Sequence, residues 1–107
     1  MKRTALVLLT LVLLLAGCDR RSAGDPYRQA VEMRVRKIVG EQFGLDPSML
    51  KLTDRFREDF KSDELDTVEL TMEFEDAFTL SIPDEVALKM NTIKDVVDYI
   101  ERHRKSR

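Results

Sequence analysis

The stretch Asp63-Glu64-Leu65-Asp66-Thr67-Val68-Glu69-Leu70 decides how this chain is read. An aspartate opens it, and acids crowd its start, where the free N–H groups and dipole of a helix favour negative charge. Leu65, Val68, Met72 and Phe74 follow at helical spacings and read as its core contacts. Residues 63–76 contain seven acids (Asp63, Glu64, Asp66, Glu69, Glu73, Glu75 and Asp76) and no Lys or Arg. Like charges four residues apart on a helix cost a few tenths of a kcal/mol per pair. This helix therefore reads either as a merely solvated face or as a surface for a basic partner. It ends near Phe78 and runs into Leu80-Ser81-Ile82-Pro83.

The flanks are helical too. Asp25-Pro26 is a helix start, with aspartate as N-cap and proline at the first position. Val31, Val35, Ile38, Val39 and Phe43 then recur with helical period up to a stop at Gly44. Residues 45–60 are irregular, with Leu50, Leu52, Phe56 and Phe60 as apolar anchors, and read as a long loop packed on the core. Past the acidic helix, Asp84 and Glu85 open a short third helix reaching about Met90. Thr92 and Asp95 form a capping-box pattern, and Val96, Val97 and Ile100 make the inner stripe of a last helix. Arg102, His103, Arg104 and Lys105 end it with the cations a helix C-terminus favours. The pattern is all-α, with four helices.

The chain has 107 residues, 36% of them charged and 43% hydrophobic, which suits one small domain with a modest core. Its formal net charge is −2; without residues 1–17, which hold Lys2 and Arg3 and no acid, 16 basic and 20 acidic residues remain. That acidic balance argues against nucleic acid as a partner and fits a basic protein. A single cysteine excludes an intramolecular disulfide. With one histidine as well, no metal site is expected, and the spacing of a calcium loop is absent. No nucleophile, base and orienter stand together, so no enzyme activity is expected. A monomer is.

The N-terminus carries a different message. After Lys2 and Arg3, residues 5–16 are apolar except for Thr10. As a helix they span about 18 Å, short of the roughly 30 Å hydrocarbon core of a bilayer but right for a secretory signal. The segment ends Leu15-Ala16-Gly17-Cys18, which resembles the bacterial lipobox. The resemblance implies cleavage before Cys18 and acylation of its thiol, with each buried methylene adding about 0.8 kcal/mol of membrane affinity. Asp19 resembles the signal that retains lipoproteins in the inner membrane of enteric-type bacteria. Residues 1–17 thus read as a signal peptide, 18–25 as a lipidated tether and 26–105 as a domain facing the periplasm.

Four blocks of that domain are recognisable together: Gly40-Glu41-Gln42-Phe43-Gly44-Leu45, Asp63-Glu64-Leu65-Asp66-Thr67-Val68-Glu69-Leu70, Ile82-Pro83-Asp84-Glu85 and Val97-Asp98-Tyr99-Ile100. In order and spacing the chain resembles the acyl carrier proteins from about Val31 to His103. The resemblance implies a small four-helix bundle with a long loop between the first two helices and a short third helix. It also implies a serine in Asp-Ser-Leu bearing phosphopantetheine, and a second helix that docks basic enzymes. Here the triplet is Asp63-Glu64-Leu65, and the glutamate cannot form the phosphodiester. Ser62 is a weak fallback. No cofactor is expected, and the leading reading is a non-enzymatic interaction module using Asp63, Asp66, Glu69, Met72, Glu73 and Asp76. Two alternatives remain: a working carrier in fatty-acid or lipid metabolism, modified at Ser62, or a domain binding lipid in its core cavity.

Overall fold

The structure is a computed structural model that describes residues 25–103. Cys18, the signal sequence and most of the tether lie outside the described residues, as do Arg104 and Lys105.

Asp25 caps the first helix, α1 (Pro26–Phe43), its carboxylate accepting from the Tyr27 amide at 3.1 Å, with Pro26 at the first position. Val31, Val35 and Val39 form its buried stripe. Gly44 ends the helix at φ +69°, where the amides of Gly44 and Leu45 both turn back to the Gly40 carbonyl. Gly40 is needed for a separate reason. A β-carbon there would lie 2.5 Å from the Leu45 carbonyl oxygen and 3.2 Å from the Pro47 ring.

The expected irregular loop is more ordered than its sequence suggests. Asp46 caps a 3-10 turn, Pro47–Met49, by accepting from the Ser48 amide and hydroxyl. A five-residue helix, α2 (Phe56–Phe60), follows, and Phe60 stacks on Phe43 with ring centres 5.4 Å apart. Five residues are too few for periodicity to register, so α2 is set by the packing of Phe56 and Phe60. The helix predicted from Asp63 is therefore the third, α3 (Glu64–Phe78). The next, α4 (Asp84–Ala87), is shorter than predicted, because beyond Ala87 the chain continues to Met90 only as turns. The predicted capping box is present in full at the start of α5 (Ile93–Arg102). No strand occurs among the described residues; Arg55 and Thr92 meet in one isolated antiparallel bridge.

Val35, Val39, Ile93, Val96, Val97 and Ile100 are fully buried where α1 packs on α5, and Leu70 and Phe74 of α3 close the core. Burying such side chains contributes about 1.5–3 kcal/mol each. Arg28 ties α1 to α5, donating to Glu101 at 2.7 Å and Asp98 at 2.9 Å while pairing with Glu32 at 3.1 Å. The helical bundle is the all-α architecture expected, with α2 added. One expectation fails: Leu65, Val68 and Met72 are not core residues but are 64%, 54% and 58% exposed. The inner face of α3 is made by Leu70 and Phe74, with the half-buried Thr67 and Thr71 beside them. Periodicity places apolar residues on helix faces but cannot say which of two such faces meets the core.

Candidate functional site

The start of α3 is built by reciprocal capping. The Asp66 amide donates to the Asp63 carboxylate at 2.9 Å, and the Asp63 amide donates to the Asp66 carboxylate at 3.1 Å. The Asp63 amide, followed by Gln42, holds the Asp66 carboxyl below the usual carboxylate range. Gln42, at the far end of α1, donates through Nε2 to Glu69 at 2.7 Å and to Asp66 at 3.1 Å, fixing the two helices together. Two hydroxyls near this start are already engaged: Thr67 donates to the Asp63 carbonyl and Thr71 to that of Thr67.

Glu64 is the first residue of α3 and is exposed. It lines a cavity of about 120 Å³ with Ser62, above Phe56, Leu70, Phe74 and Val96. Ser62 is not on the helix; it lies in the loop between α2 and Asp63, with its amide donating to the Phe56 carbonyl at 3.0 Å. It is only 8% exposed, whereas Glu64 stands in solvent.

Residues 34–100 match the family model described as phosphopantetheine attachment site. The chain belongs to this carrier family. The match runs from the middle of α1 to the end of the inner stripe of α5 and contains the whole of α3. Carrier attachment requires a reachable hydroxyl, and the two positions considered for it differ in chemistry and exposure. At the position that resemblance assigns to the serine, Glu64 offers a carboxylate, and Ser62, two residues earlier, is a buried residue on the wall of the cavity.

The six residues expected to bind a partner divide in two. Asp63 and Asp66 are committed to the cap, and Glu69 is exposed but bonded to Gln42. Glu73, Asp76 and Met72 are exposed, and neither the Glu73 nor the Asp76 carboxylate has a hydrogen bond or ion pair among the described residues. Glu75, by contrast, accepts from the Ile82 amide at 2.8 Å and braces the connection to α4. Leu65, Val68 and Met72, at i, i+3 and i+7, form an exposed apolar stripe. Across a groove from it stands Leu88, 66% exposed. Leu65, Val68 and Leu88 were missed as surface residues. The available signal was Thr67 and Thr71, which mark the inward stripe less strongly than the apolar residues mark the outward one. Among the described residues, no group of three His, Cys, Asp or Glu side chains is arranged to hold a metal ion.

Proposed function

We propose that this carrier-family chain is a lipid-anchored, non-enzymatic interaction module that lacks phosphopantetheine and meets a basic protein partner through α3. Cys18 is its acylated mature N-terminus, and the domain lies in the cell envelope facing the periplasm. The observation that carries the proposal is the surface of α3. The apolar stripe Leu65, Val68 and Met72 stands in solvent, flanked by exposed Glu64, Glu69 and Glu73. A contiguous exposed apolar patch with a charged rim is the anatomy of a binding surface, and scattered single apolar residues are not. Glu64 at the attachment position removes the carrier's own chemistry while leaving this surface intact.

Crosslinking in intact cells tests it. Glu69→Lys with Glu73→Lys should abolish capture of the partner, and Leu65→Ser should weaken it. Helical circular dichroism should change little, since all three residues are exposed and Gln42 keeps its bond to Asp66 when Glu69 is replaced. Capture should also weaken as salt rises, because charge steering is screened over about 8 Å at physiological ionic strength. Equal yields from wild type and both variants would reduce α3 to a solvated face. Family membership itself favours one other reading, a working carrier, and intact mass distinguishes it as described below.

A further inference from the structure

The exposed stripe of α3 is one wall of a groove of about 550 Å³. Leu65, Val68 and Met72 run along that wall for about 10.5 Å, two turns of helix. Ala87 and Leu88, the last residue of α4 and its C-cap, stand on the other, and Ile82 of the connecting segment lines the groove as well. Leu65, Val68, Met72 and Leu88 are each more than half exposed, so these side chains serve no core. Single exposed apolar residues are ordinary, but four lining one concavity make a surface for something apolar.

Charge and hydrogen bonding decide what fits there. Among the described residues no Lys or Arg lines the groove, whereas Glu64, Glu75 and Asp84 do; Lys89, next to Leu88, lines a separate recess. Glu69 and Asp76 follow Leu65 and Met72 by four residues and so stand beside them on α3. The carboxylates of Glu64, Asp76 and Asp84 have no hydrogen bond or ion pair among the described residues. Acids therefore border the apolar strip on both walls, and an occupant must carry cations on both sides of its own. The backbone of the walls offers an occupant little. Helix α3 bonds its own amides, and those of Ala87 and Leu88 donate back to Pro83 and Asp84. The Thr67 and Thr71 hydroxyls, which also line the groove, already donate to backbone carbonyls. An extended segment laid here would bury amides and carbonyls without partners, whereas a helix arrives with its own satisfied.

We infer that this groove seats a basic amphipathic helix of a partner protein. That helix lies between α3 and α4 with apolar residues at i, i+3 or i+4 and i+7 against the walls, and with Lys or Arg on both of its flanks. The inference rests on the reading of α3 as a protein-docking surface. It adds the second wall, which makes Leu88 an anchor, and the conformation of the segment held between the walls.

The test uses the full chain in its own cells, with photocrosslinking benzoylphenylalanine in place of Val68 on one wall or of Leu88 on the other. Both positions should label the same segment of one protein, with apolar residues at helical spacing and Lys or Arg on both flanks. A synthetic peptide of that segment should gain helical circular dichroism when the chain is added. A proline at its centre should weaken binding about a hundredfold. Leu88→Ser should weaken it about tenfold or more. Met33→Ser, on α1 at the same 66% exposure and outside the groove, should leave it unchanged. Labelling of a protein from position 68 alone overturns the inference and leaves α3 as a docking surface. So does a labelled segment that lacks the cations, gains no helix, or binds Leu88→Ser as well as wild type. Labelling from position 88 alone, of a second copy of this chain, of lipid only, or of nothing at either position overturns both readings.

Discussion

Glu64 occupies the position that resemblance assigns to the carrier serine, and its environment suits a carboxylate. It stands in solvent at the first residue of α3, where the free amides and helix dipole favour an anion by about 0.3–1 kcal/mol. Incubated with a broad-specificity phosphopantetheinyl transferase and coenzyme A, the wild-type chain should show no gain in intact mass. Glu64→Ser rebuilds Asp-Ser-Leu and should accept one arm, at a stability change of about 1 kcal/mol or less. An arm on the wild type, mapped to Ser62, would restore the carrier reading. It would also require the loop between α2 and α3 to open, because Ser62 is 8% exposed.

Among the elements, the turn after α1 shows how a short motif acts through space. Gly44 reaches φ +69°, a left-handed conformation that costs a non-glycine residue about 1–2 kcal/mol. Gly40 has helical backbone and no such need, yet a methyl group there would press into the Leu45 carbonyl oxygen and the Pro47 ring. Gly40→Ala should therefore destabilise the fold by about 1–3 kcal/mol despite the helix preference of alanine. Thermal unfolding followed by circular dichroism reads this directly, and an unchanged or raised midpoint would show that the 3-10 turn moves aside at little cost. Helix α3 teaches the complementary lesson. Both of its stripes have helical spacing, and only the position of α1 and α5 makes Leu70 and Phe74 core while Leu65, Val68 and Met72 become surface.

At the scale of the whole molecule, ion pairs join α1 to α5 and make stability depend on pH. Burial opposes the ionisation of Asp98, but hydrogen bonds from Lys94 and Arg28 outweigh it and hold its carboxyl below the usual range. A carboxylate lowered in the folded state stabilises above its unfolded pKa, about 3.9, and loses that contribution as pH falls through the folded value. Asp66 behaves in the same sense. Asp98→Asn should cost about 1 kcal/mol at pH 7, where the wild-type group is charged and hydrogen-bonded. The gap between variant and wild type should close as pH falls below about 4. A gap that persists unchanged at pH 2 would mean that Asp98 acts by packing and not by charge.

The helices with strong local signals were legible in the sequence itself. Asp25-Pro26, Gly44 and the Thr92–Asp95 box are short-range hydrogen-bonding devices, and the structure places each where its chemistry requires. The acidic run and the glutamate in the carrier triplet were equally plain, because residue identity alone carries them. Whatever depends on distant neighbours was decided by tertiary structure. Helix α2 exists because Phe56 and Phe60 find the core and Phe43, and the outward stripe of α3 exists because a second stripe fills the core instead. The start of α1 meets the end of α5 through Arg28, which reaches residues seventy and seventy-three positions away. Periodicity reports how apolar and charged residues are spaced along one element, and only packing against the other elements decides which face meets the core.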